Sequence, residues 1–113
     1  MRAARLTVAA TIWGTAAAAL PIGDGVYDVA ACGETVSDLR IEVQGDDIAF
    51  FESRCAMTNP VNVRDMGGAV LYDAVCTGEG ESFTRRILVM AGPDGRAVLV
   101  QAGFATTYRR CGD

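Results

Sequence analysis

One stretch of the chain, residues 38–55, reads DLRIEVQGDDIAFFESRC and carries the clearest structural signal. Its apolar residues alternate with charged ones up to Val43, which is the period of two of a strand with one solvent-facing side. A turn over 44–47 follows, and a second apolar run begins at Ile48. We therefore expect an antiparallel hairpin in which Val43 lies opposite Ile48.

The remainder of the chain repeats this pattern of short apolar runs separated by turns. Gly, Pro, Asn and Asp concentrate at 58–60, 77–81 and 92–95, which predicts turns there. A short first strand is expected within 26–29, and at most one helical turn near 60–68. About seven short strands at this spacing predict an all-β domain. A small closed antiparallel meander barrel is preferred because closure removes exposed edges, and a β-sandwich is the alternative.

Residues 1–19 have the composition of a secretory signal peptide. Arg2 and Arg5 supply a positive start, and an apolar run then leads to small residues before Leu20. Cleavage before Leu20 would leave a single domain over 20–113, in the periplasm of a Gram-negative bacterium or otherwise secreted. The apolar run is shorter than the roughly 20 residues of a spanning helix, so we expect no stable membrane insertion after cleavage.

The composition excludes several classes of function. The 113 residues include no histidine, and the ten basic residues are all arginine. Ser-His-Asp triads, imidazole metal sites and Schiff-base chemistry are therefore ruled out. The net charge is −4, and the region after residue 19, with eight arginines against 14 acids, has a balance of −6. Such an acidic protein is a poor candidate for binding nucleic acid, which requires neutralised phosphates.

Four cysteines remain after cleavage: Cys32, Cys55, Cys76 and Cys111. In a small exported domain an even number of cysteines predicts disulfides, here two, with three connectivities open. A zinc site is disfavoured because no Cys-x-x-Cys pair occurs. With Val43 opposite Ile48, Cys55 falls opposite about position 36, close to Cys32. The preferred pairing is therefore Cys32–Cys55, which closes the open end of that hairpin, with Cys76–Cys111.

Two arginine doublets are the basic features of the sequence. Arg85 and Arg86 form one doublet, and Arg109 and Arg110, next to Tyr108, form the other. On a strand each doublet sends one guanidinium to each face, so two arginines share a face if the two strands lie close together. These five residues form a tentative binding surface for an anion. The simpler interpretation is surface pairing with acids, worth about 0–1 kcal/mol for each pair.

Acidic and aromatic residues supply the remaining candidates. Two carboxylates at a suitable separation suffice for glycoside hydrolysis, and Glu52, Glu79 and Glu81 are available, but the spacing selects no pair. No calcium-loop pattern occurs either. We therefore expect no catalytic residue, no metal site and no cofactor. The aromatic candidates for a ligand mouth, which the simpler interpretation places in the core or at its rim, are Tyr27, Tyr72, Phe104 and Tyr108.

Three short runs occur together: IAFFESRC over 48–55, CTGEGE over 76–81 and YRRC over 108–111. Together they resemble small exported proteins of alphaproteobacteria that contain four cysteines. This resemblance implies export and a cysteine-linked scaffold but no activity. In size, export and β content the chain is also similar to the periplasmic inhibitors of C-type lysozyme, an analogy of fold alone. Their Ser-Gly-x-x-Tyr loop has no counterpart here, so no inhibitory residue is carried over.

The function expected from these observations is an exported, non-enzymatic binding or interaction domain. Its partner is unknown, either a protein or another component of the cell envelope. One alternative is an inhibitor of a cationic cell-wall hydrolase such as lysozyme, which the negative charge would attract. The other is a minimal carboxylate-dependent hydrolase that uses Glu79 or Glu81.

Overall fold

Eight antiparallel strands form the fold in a computed structural model, which describes residues 20–30, 32–33 and 37–112. The strands are β1 (Gly25–Asp28), β2 (Ile41–Gln44), β3 (Asp47–Ala49), β4 (Arg54–Asn62), β5 (Val70–Gly78), β6 (Glu81–Ala91), β7 (Ala97–Gln101) and β8 (Phe104–Cys111). Each pairs with the next, and β8 pairs with β1, so the sheet closes into a barrel. The predicted all-β antiparallel meander barrel is confirmed, with one strand more than the seven expected. The expected signal segment over 1–19 lies outside the described residues.

The core follows from the alternation of side chains along each strand, because successive residues point to opposite faces of a sheet. The fully buried inward side chains include Ile41, Val43, Ile48, Ile87, Val89 and Leu99. Leu20 and Ile22, which precede β1, join the same buried cluster and close one end of the barrel. We call this the plugged end.

Two predicted hairpins are confirmed. Val43 lies opposite Ile48, and the chain reverses between β2 and β3 at Gly45 and Asp46. Between β5 and β6 it reverses at Glu79 and Gly80, whose φ angles are 51° and 79°. Positive φ at both central positions is the geometry of a turn that matches the twist of the paired strands, and glycine adopts it at little cost.

The turn predicted at 58–60 is wrong. β4 continues through these residues with a bulge, seen as a shift of register between Thr58 and Val61. Asn59 has a φ of 54°, and asparagine tolerates this conformation better than most residues, so it bends the strand instead of ending it. No helix forms near 60–68, where a loop held by backbone hydrogen bonds joins β4 to β5.

The apolar run over 48–55 is two strands rather than the one expected. A tight turn separates β3 from β4, and the N–H of Phe50 donates a hydrogen bond of 2.7 Å to the carbonyl of Ser53. After this reversal Cys55 lies beside Ile48 on the neighbouring strand. Cys55 is thereby turned away from the segment that contains Cys32.

The preferred disulfide pairing, Cys32–Cys55 with Cys76–Cys111, is therefore wrong. Cys55 faces Cys76 directly across β4 and β5, with 4.0 Å between their Cα atoms, and these two cysteines form a disulfide inside the core. Cys32 bonds to Cys111 on the last strand. Cys111 is three residues from the buried Tyr108, on the outward face of β8, so this second disulfide lies outside the seam where β8 meets β1.

Candidate functional site

The end of the barrel opposite the plugged end is open, and we call it the mouth. It is bordered by the segment that leads into β2 (37–40) and by the turns at 50–53, 79–80 and 102–103. A cavity of about 340 Å³ lies there, lined by residues from the first two of these segments and by side chains of β6, β7 and β8. The mouth therefore combines four chain segments that are distant in the sequence.

Large apolar side chains project into solvent around the mouth. Leu39, Phe51 and Phe104 are each more than half exposed, at 60%, 59% and 57%, and all three line the same cavity. A fourth, Phe83, is 39% exposed and lies against the same central side chain, Arg85. Single exposed apolar residues are common on protein surfaces, whereas a cluster around a cavity is typical of a binding site.

Arg85 lies at the centre of this cluster. Its side chain points into the barrel, because Arg85 stands on β6 two residues before the buried Ile87. Its guanidinium carbon is 5.4 Å from the ring centres of both Phe50 and Phe83, close enough for cation–π attraction. Its Nε is buried and has no hydrogen-bond partner among the described residues. A buried N–H without an acceptor is costly, and this donor lacks the partner that a buried polar group normally has.

Tyr108 adds a hydroxyl near this guanidinium. Its side chain is buried but still borders the mouth cavity. Burial raises the pKa of Tyr108, while a hydrogen bond with Thr106 and the positive charge of Arg85 act in the opposite direction. The phenol therefore stays protonated at neutral pH and is a neutral hydrogen-bonding group beside a cation.

Carboxylates lie on the outer side of the mouth. The pKa of Glu52 is raised, chiefly by a hydrogen bond with the side chain of Glu79 and by that residue's charge, then by desolvation and the charge of Asp38. Glu52 and Asp38 also line the cavity. The structure thus brings together two of the three candidate glutamates, whereas Glu81 begins β6 as an exposed residue.

A glycine makes the close approach of Glu52 and Glu79 possible. Gly78 lies against the β3–β4 turn so tightly that a Cβ placed on it would collide with the carbonyl oxygen of Glu52 and with Ser53. The absence of a side chain at residue 78 thus allows the β3–β4 turn to pack against the end of β5 at the mouth.

The two arginine doublets do not share a surface. Strand β7 separates β6 from β8, and Arg86 points outward, where it forms an ion pair of 3.0 Å with Asp73. Arg109 is exposed. Arg110 lies at the plugged end, where its guanidinium covers the ring of Tyr27 and donates to the Tyr27 hydroxyl at 3.2 Å. Of the five residues proposed as a binding surface, the structure brings together only Arg85 and Tyr108.

The aromatic candidates also divide between two roles. Tyr27 and Tyr72 are buried in the core, and burial, followed by the charge of Asp46, raises the pKa of Tyr72. Phe104 is at the mouth. The core interpretation is thus confirmed for the first two tyrosines, and Phe104 is an exposed rim residue.

A buried ion pair that the sequence analysis missed holds one side of the mouth. Asp28 is 1% exposed, and its carboxylate accepts hydrogen bonds from the N–H of Val29 at 2.7 Å and from Nε of Arg40 at 3.2 Å. Desolvation raises its pKa, but hydrogen bonds from Val29, Ser37 and Arg40 and the Arg40 charge outweigh it, so the pKa lies below its ordinary value. The pair anchors the segment that carries Leu39 to the end of β1.

A second apolar feature lies on the outer wall of the barrel. One row of side chains runs across five neighbouring strands in register, and we call it the outer row. Its members are Val61, Leu71, Leu88, Val100 and Ala105. The cavity over this row is lined by Leu71, Leu88 and Val100 and also by Arg85, Arg86 and Phe104, so the outer row adjoins the rim of the mouth.

No cluster of metal-ligating side chains occurs among the residues that the structure describes. Within the same part of the chain, no helix has the length and apolar character needed to cross a membrane. No family model, curated protein or solved structure matches the chain.

Proposed function

We propose that the chain is an exported, non-enzymatic binding domain and that its ligand or partner binds at the mouth. Two disulfides suit an oxidising compartment outside the cytoplasm, and the composition of residues 1–19 supports export to the periplasm or the medium.

The observation that carries the proposal is the exposed apolar rim around a cation with an unfilled donor. Leu39, Phe51 and Phe104 leave most of their apolar surface in water. Full burial of such a side chain contributes about 1.5–3 kcal/mol, so a ligand covering all three gains several kcal/mol toward the cost of association. Arg85 supplies the polar group that would fix the orientation of the ligand.

Hydrolysis fits this geometry less well. The carboxyl of Glu79 raises the pKa of Glu52, so the two groups act on each other as close neighbours. Glycosidases instead hold their two carboxyls about 5 Å or more apart, so that a sugar or a water fits between them.

The acidic side of the mouth favours one class of protein partner as a second candidate. Asp38 and Glu52 lie beside the exposed aromatic rim and would attract a basic cell-wall hydrolase such as lysozyme. We expect slower hydrolysis of cell walls at low salt in the presence of the domain and recovery of the rate as salt screens the charges. An unchanged rate at low salt would remove this candidate.

Site-specific photo-crosslinking in intact host cells tests the proposed function. A photoreactive amino acid replaces Phe104 at the mouth, and in a matched variant it replaces Val61 of the outer row, which is similarly exposed. Labelling should occur at residue 104, decline when excess unmodified domain competes, and be weaker at residue 61. Equal labelling at both positions, or none at residue 104, would contradict the proposal.

A further inference from the structure

We infer that the mouth binds a single carboxylate carried by an apolar body, with the carboxylate on the edge of the Arg85 guanidinium and the body on the aromatic rim. This inference rests on the proposed function and names the chemistry of its ligand.

The stacking of Arg85 leaves one direction for a ligand. Both Phe50 and Phe83 lie at cation–π distance from the guanidinium, and these contacts do not occupy the N–H donors at its edge. A guanidinium has five donors and no acceptor, and its edge matches a planar carboxylate, which accepts two parallel hydrogen bonds. Nε, which is buried and has no partner among the described residues, is one of the two donors that such a contact needs, and it becomes accessible when the guanidinium turns toward the cavity.

The charges around the cavity select a ligand with one negative charge. Arg85 and Arg40 are the two cations in the lining, and the charge of Arg40 is already paired with Asp28. Asp38 and Glu52 lie on the same lining and repel additional negative charge. A phosphate or a polyanion carries more negative charge than Arg85 neutralises, and the two carboxylates repel that excess, whereas the single charge of a carboxylate is matched by Arg85.

The surroundings of Arg85 require that the remainder of the ligand be apolar. Phe104, Phe51 and Leu39 border the cavity, and its volume of about 340 Å³ is in the range of small-molecule sites. Two sources share this chemistry: an acyl-chain carboxylate, and the C-terminus of a peptide whose last residue is apolar.

Four probes in two matched pairs test the inference on the oxidised domain. Octanoate is compared with 1-octanol, and the dipeptide acid N-acetyl-Leu-Phe is compared with its C-terminal amide. Binding is followed by the NMR signal of the Arg85 Nε–H, which reports directly on a carboxylate at that donor. We expect the acid of at least one pair to bind about ten- to a hundredfold more tightly than its neutral partner and to shift this signal. The acid that binds more tightly identifies the source.

Two variants separate the role of Arg85 from general effects of charge. Arg85→Gln should abolish the preference for the acid, whereas Arg109→Gln, at an exposed arginine on β8, should preserve it. If Arg85→Gln fails to fold, as judged by circular dichroism, Arg85→Lys serves instead. Lysine retains the positive charge but cannot donate two parallel hydrogen bonds to one carboxylate, so the affinity for the acid should weaken by about tenfold.

Three results would overturn the inference: equal affinity for acid and neutral probes, an unmoved Arg85 signal, or no binding of any probe. These results leave the proposed function standing if residue 104 is still labelled in cells. If residue 104 is not labelled, the proposed function itself fails.

Discussion

The two disulfides should be reduced in a defined order in the folded protein. Thiol–disulfide exchange requires a thiolate to reach a sulfur atom. Cys55 and Cys76 are both 0% exposed, whereas Cys32 and Cys111 are only partly buried, on the outside of the barrel. We expect a mild reductant to open Cys32–Cys111 first, while Cys55–Cys76 persists until the barrel unfolds.

The disulfide that opens first is also the one expected to stabilise the chain more. In the chain-entropy model its sequence separation of 79 corresponds to about 4.5 kcal/mol, against about 3.4 kcal/mol for the separation of 21 in Cys55–Cys76. It also clamps the seam between β1 and β8, which has only three paired residues on each strand. Since small domains have total stabilities of about 5–15 kcal/mol, the half-reduced form should be close to the limit of folding.

The order of reduction is measured by stopping the reaction with an alkylating reagent and mapping the labelled cysteines by mass spectrometry. The free energy of unfolding is measured by denaturant titration of the double variant Cys32→Ala/Cys111→Ala, which should lose about 4.5 kcal/mol. The matched control is Cys55→Ala/Cys76→Ala, which loses its crosslink and also leaves a cavity in the core. Early labelling of Cys55 and Cys76, or a loss below about 1 kcal/mol in the first variant, would refute this reasoning.

Three further changes test the charges and the close contact around the mouth. Asp28→Asn removes the partner of Arg40 and should lower stability at neutral pH. Because the pKa of Asp28 is depressed in the folded state, its contribution is present above the ordinary aspartate pKa of about 3.9 and lost as the pH falls through the depressed value. When the free energy of unfolding is measured as a function of pH, the loss caused by protonation of Asp28 should be missing in the variant. Identical pH dependence in the variant and the original protein would contradict this prediction. Glu79→Gln removes the carboxyl whose hydrogen bond and charge raise the pKa of Glu52. Because a raised carboxyl pKa makes the folded state less stable as the pH rises above about 4.3, the thermal midpoint at neutral pH should increase. An unchanged or lower thermal midpoint would contradict the unfavourable interaction between Glu52 and Glu79. Gly78→Ala forces a Cβ onto the carbonyl of Glu52 and should cost about 1–3 kcal/mol in denaturant titrations, whereas alanine at a turn glycine with open surroundings should not meet such a clash.

The barrel could be predicted because its strands have local signatures. The alternation up to Val43 and the Gly45–Asp46 turn are determined by neighbouring residues, so the hairpin and its register followed from the sequence. The turn at 50–53 has no such signature, since two phenylalanines and no glycine or proline stand where the chain reverses. That reversal packs against Gly78, which is more than twenty residues away, and local propensity does not report such contacts.

The disulfide pairing depended on the same turn. With one long strand, Cys55 points toward Cys32, and with two strands it faces Cys76. Because this one turn was not predicted, both predicted disulfides were wrong. The result shows that connectivity inferred from a hairpin is only as good as the assignment of its strand ends.

The site could be predicted only in part. Arg85 was predicted as a site residue only as one of a doublet. Which of the two arginines points into the barrel depends on the register with Ile87, which a doublet does not reveal. Asp28 was missed because a single aspartate in a short strand forms no motif. Its role appears only when Arg40 is brought to it by the fold.

The plugged end has a practical consequence for presenting the domain. Leu20 belongs to that end, and β8 runs from Phe104 at the mouth to Cys111 at the opposite pole. A tag, a fusion partner or a sensor surface joined before Leu20 or after Gly112 is therefore held on the far side from the mouth. The domain can thus be attached to a surface at residue 20 or at residue 112 with the mouth facing away from that surface, an orientation that suits display and capture formats.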